Sequence, residues 1–74
     1  MFQVEGFLIF KNGDFEKNTF GIFKSKKAAR VKICSEIQAL RELYLDSVEV
    51  TSSDSVYSVI LNRNSVYNFI ICKV

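Results

Sequence analysis

Only one stretch of this chain repeats its apolar residues at helical spacing, and that limits the available folds more than any other feature. Ala29, Ile33, Ile37, Leu40 and Tyr44 recur at steps of three and four in a segment free of Gly and Pro, which lays one apolar stripe along an α-helix. Ser25 stands just before it and is a good N-cap, because its hydroxyl can accept a backbone N–H of the first turn. The spacing predicts a helix of roughly 18 to 20 residues. No Glu follows the cap to complete a capping box and no Gly marks the end, so the C-terminal boundary falls loosely near Tyr44 to Asp46.

Everything around that helix has strand character. Asn12-Gly13 sits between aromatic-rich flanks and suits the two positive φ values of a type I′ hairpin turn. Strands near 2–11 and 14–23 follow. With a two-residue loop, Phe10 faces Phe15, and Phe2, Val4, Leu8 and Phe23 share that face; Phe7, Ile9, Phe20 and Ile22 take the other. After the helix come Val48 and Val50, a polar turn at Ser52-Ser53-Asp54, then Val56 to Leu61. A second turn at Asn62-Arg63-Asn64-Ser65 leads into Val66 to Val74. If Leu61 faces Val66, one face collects Tyr57, Val59, Leu61, Val66, Ile70 and Cys72. The other collects Val56, Ile60, Tyr67, Phe69 and Ile71. The expected fold is α+β: a small antiparallel or mixed β-sheet with one amphipathic helix packed on one face, in the order ββαββ(β), as a single domain over 1–74.

This order and size resemble the β-grasp fold of ubiquitin-like proteins, although the helix is longer than that fold usually carries. The richness in Lys, Asn, Ile, Ser and Phe is similar in character to small accessory proteins encoded by bacteriophages and low-GC bacteria. Nearly half the residues are apolar and the net charge is only +2. The first property is that of a chain that folds, and the second lacks the excess expected of a protein held mainly by phosphates. The longest early apolar run, Phe7 to Phe10, is too short for a signal peptide core or a membrane span. Cys34 and Cys72 could make at most one bridge, too few for a secreted disulfide framework. Free thiols, a cytoplasmic location and no membrane association are the expectations.

Chemistry-bearing constellations are sparse. Histidine, the usual group that titrates near neutrality, is absent. Asp46, Glu49 and Asp54 lack the oxygen-ligand spacing of a calcium loop. Two cysteines fall short of the four Cys or His ligands of structural zinc. Gly6 and Gly21 lie within strands, where glycine marks a bulge or a close backbone approach. No catalytic residue, metal or cofactor is expected.

Binding is better supplied. Lys24, Lys26, Lys27, Arg30 and Lys32 crowd the helix start, where the macrodipole disfavours positive charge. Lys27, Arg30 and Arg41 share one flank of the stripe, with Cys34 among them. The candidate partner-binding ridge is Lys24, Lys26, Lys27, Arg30 and Arg41, set against a merely solvated face. One helix covers only one face of a four- or five-stranded sheet, so an apolar face is left over. Phe7, Ile9, Phe20, Ile22, Tyr67 and Phe69 are its expected members, to be buried by a homodimer or a protein partner. The expected function is a non-catalytic protein-interaction module, a small inhibitor or adaptor of a larger protein. The alternative is nucleic-acid binding, in which the sheet aromatics stack on bases.

Overall fold

The hydroxyl of Ser25 accepts the Ala28 N–H at 3.1 Å and starts the helix at the expected place. The computed structural model describes residues 1–44, 48–61 and 65–74. It contains β1 (Phe2–Ile9), β2 (Phe15–Phe23), α1 (Lys26–Tyr44), β3 (Val48–Ser52), β4 (Val56–Leu61) and β5 (Ser65–Lys73). Asp46 and the turn expected at Asn62 to Asn64 lie outside the described residues.

The strands form one sheet in the order β2-β1-β5-β4-β3, and every neighbouring pair is antiparallel. The expected α+β class is therefore what the chain adopts, with three strands after the helix. The first and last strands, β1 and β5, are neighbours and run antiparallel. This pair lies inside the sheet. The Val74 N–H donates to the Met1 carbonyl at 2.9 Å, and the Met1 ammonium donates back to the Val74 carbonyl at 3.2 Å.

Helix α1 buries Ala29, Ile33 and Ile37 against Val4, Val59, Leu61, Tyr67, Phe69 and Ile71. Fully burying one side chain of the Val, Ile or Phe kind stabilises a fold by about 1.5–3 kcal/mol, so this layer supplies the main driving force. Under the helix Tyr67 stacks on Phe69 with ring centroids 4.6 Å apart, and Phe20 tilts against Phe69 at 5.7 Å. Gly6 makes room for this cluster. A Cβ at that position would lie 2.6 Å from the Phe20 ring and 2.7 Å from that of Tyr67. The Tyr67 hydroxyl reaches across to accept from the Asn18 amide at 3.1 Å.

Two registers differ from those expected. The first hairpin has a three-residue loop: the Gly13 N–H donates to the Phe10 carbonyl at 3.0 Å, and the Phe10 N–H to the Asp14 carbonyl at 2.8 Å. Gly13 sits at φ 93°, as in the hairpin built from a type I turn and a left-handed glycine. Phe15 therefore pairs with Ile9 rather than Phe10. Further along β2 the register shifts opposite Val4 and Glu5, leaving Phe20 unpaired beside Gly21 at φ 122°. The longer loop places Phe20 on the helix side, and the bulge then keeps Ile22 on the open face and Phe23 under the helix. In the second hairpin Ile60 pairs with Val66 and Leu61 with Ser65, one residue from the expected match, which exchanges the faces of all of β5 relative to β4.

Candidate functional site: an uncovered apolar sheet face

The corrected registers decide which side chains are left outside. Phe20, Tyr67 and Phe69, expected on the uncovered face, instead pack beneath α1. Phe7, Ile9 and Ile22 do lie on the open face. Phe15, Val56, Ile60, Val66 and Ile70 join them there through the pairs Ile9–Phe15, Ile9–Val66, Ile60–Val66 and Val56–Ile70. Relative exposure reaches 67% at Phe15, 58% at Ile22, 40% at Ile9 and 38% at Ile60, so these side chains have no cover within the chain. A depression of about 480 Å³ lies among them, lined by Phe7, Ile9, Phe15, Val56, Asn68 and Ile70.

Two polar pairs lie on this face. Ser58 donates its hydroxyl to the Asn68 side-chain carbonyl at 2.8 Å. Lys17 pairs with Glu5 at 3.7 Å and lies over the Phe7 ring at 5.8 Å. Asn68 escaped the sequence-based expectation. Its signal was there: an amide placed between Val66 and Ile70 at strand spacing, on a face otherwise apolar along β5.

The basic ridge is divided by the fold. Lys26 and Arg30 both grip Asp54 in the β3–β4 turn, at 2.6 and 3.1 Å. Arg30 also donates to the Asp54 main-chain carbonyl at 3.4 Å. The Lys26 ammonium, by hydrogen bond and then by charge, holds the Asp54 carboxyl below its ordinary pKa against desolvation, with a lesser contribution from the Arg30 guanidinium. Lys32 pairs with Glu36 one turn on at 2.8 Å. Lys24, Lys27 and Arg41 are exposed and have no carboxylate partner among the described residues. Lys27 and Lys32 border a second depression, of about 580 Å³, with Phe23, Ala28 and Val31.

Cys34 is free on the outer side of α1, and Cys72 is free on the open sheet face, opposite Gln3. The two thiols thus occupy opposite sides of the fold. Among the described residues no three His, Cys, Asp or Glu side chains gather as metal ligands. No helix there is long and apolar enough to cross a membrane. No family model, curated protein or solved structure matches the chain significantly. Function is therefore read from the surface itself.

Proposed function

We propose that this chain is a non-catalytic protein-interaction module, a small cytoplasmic accessory protein of phage or bacterial type that inhibits or adapts a larger protein. The observation that supports it is the uncovered sheet face, where Phe7, Ile9, Phe15, Ile60 and Ile70 form an apolar surface around a depression. Burying apolar area is the dominant drive to association, and aromatic anchors in a desolvated patch carry most of the affinity. Lys24, Lys27 and Arg41 are the part of the ridge left to steer encounter, since Lys26 and Arg30 are engaged by Asp54.

The nucleic-acid alternative loses most of its stacking platform, because three of its aromatics, Phe20, Tyr67 and Phe69, pack under the helix. Affinity capture of the tagged full chain from its native cells tests the proposal. A protein that stays bound after nuclease treatment and is lost with Phe7→Ser or Phe15→Ser supports it. Capture that disappears with nuclease and leaves no protein bound transfers the assignment to nucleic acid.

A further inference from the structure

We propose that a second copy of this chain covers the open face, in a two-fold dimer whose axis runs along β5. This rests on the open face being a protein interface, and it names the occupant. The order β2-β1-β5-β4-β3 puts β5 in the middle with two strands on each side. Rotation about β5 lays β1 on the partner's β4 and β2 on the partner's β3, so the half of the face that holds Phe15, Ile9, Val66 and Ile60 is covered at once.

The residues along the face are complementary to their own rotated image. Ile9, Val66 and Ile60 form one continuous row across β1, β5 and β4. Rotation sets Ile9 on the partner's Ile60 and Val66 on its own counterpart, and the two isoleucines are almost equally exposed, at 40% and 38%. In the next row Lys17, Phe7, Asn68, Ser58 and Thr51 are aligned, so rotation sets Phe7 on the partner's Ser58 and Lys17 on its Thr51.

Asn68 is the more specific pointer. It lies on β5, at the axis, in the floor of the depression. Its side-chain carbonyl accepts from Ser58, while its amide NH₂ has no protein acceptor among the described residues. A wholly apolar partner would bury that donor unpaired, which is unfavourable. A second Asn68 across the axis supplies a carbonyl, and two primary amides can exchange hydrogen bonds symmetrically. A single buried Asn of this kind fixes register and orientation in other self-associating surfaces. The area is also of the right order. Five strands about 4.8 Å apart, overlapping over about six residues at about 3.3 Å each, give roughly 500 Å² per copy. A standard interface takes about 800 Å² per partner, and the projecting Phe15 side chain adds to the flat estimate.

Sedimentation equilibrium of the full chain tests the dimer, and short bismaleimide cross-linking tests the axis. On a Cys34→Ser, Cys72→Ser background, Val66→Cys should join to itself. Ile9→Cys should join to Ile60→Cys in a mixture of the two variants, and far less to itself, because facing sheets lie about 10 Å apart. Ile60→Glu should raise the dimer dissociation constant by roughly a hundredfold or more, since it buries an unpaired charge, with circular dichroism confirming the fold. Unmodified protein that remains monomeric at 100 μM (a concentration of order 10² μM, where weak dimers form) overturns the proposal, as does a dimer in which Ile9→Cys joins only itself. Neither result removes the open face as a site for another protein, which the capture experiment tests separately.

Discussion

At the scale of single residues, the close contacts over β1 make the sharpest demand. Gly6 leaves its Cβ position to the rings of Phe20 and Tyr67, 2.6 and 2.7 Å away. Gly6→Ala should cost about 1–3 kcal/mol through overpacking, read as a lower urea midpoint with little change in slope. Tyr67→Phe keeps the ring stack and removes only the hydrogen bond from Asn18. Its cost should be about 1 kcal/mol, measured in the same way. Gly6 was legible as a place of close approach from its position in a strand, but its neighbours were not. They depend on the registers of the two hairpins, which decide the face that Phe20 and Tyr67 take.

Among elements, α1 is tied at its start in two ways. Ser25 caps it, and Ser25→Ala should destabilise the fold by about 1 kcal/mol in thermal or urea unfolding. Asp54 then links the first turns of α1 to the β3–β4 turn through Lys26 and Arg30. Because pairing lowers the Asp54 pKa from 3.8, its contribution is fully present above that value. It fades as pH falls through the lower folded value. The difference in melting temperature between the natural chain and Asp54→Asn should therefore be constant from pH 7 down to about 5, shrink below pH 4 and vanish under stronger acid. It should also be small, as the carboxylate is well exposed.

The same scale shows what the sequence could and could not convey. Helix α1 was readable because its apolar stripe and cap point to one answer, and the element order followed from it. Register was not. Phe7 and Ile9 alternate with Leu8 and Phe10, and Ile22 precedes Phe23, so no polar face marks which set belongs inside. A slip of one residue exchanges the two sets. The slip came from the loop: Asn12-Gly13 suits a two-residue turn, yet Lys11 joins the loop and only Gly13 takes the left-handed position that the longer turn requires. The open face was thus foreseen as a consequence of having one helix, while half of its expected members, Phe20, Tyr67 and Phe69, turned out to be core.

For the whole molecule, a dimer sealed by the open face makes stability depend on concentration. A tenfold rise in protein concentration should raise the melting temperature measurably, and Ile60→Glu should abolish that dependence. Pairing of the two most distant strands has a different consequence, in the order of folding. Ile9 and Val66 are the register pair of β1 and β5 closest in sequence, and they lie almost sixty residues apart. Closing such a loop costs about 3–4 kcal/mol of chain entropy, against about half that for a hairpin. The hairpins β1–β2 and β4–β5 can therefore gather locally, but the sheet becomes continuous only when they meet. Refolding should take milliseconds to seconds, as in chains dominated by distant contacts. In that interval the inner edge of β1 is open to any other strand. The docking of β5 is thus the step that separates productive folding from aggregation.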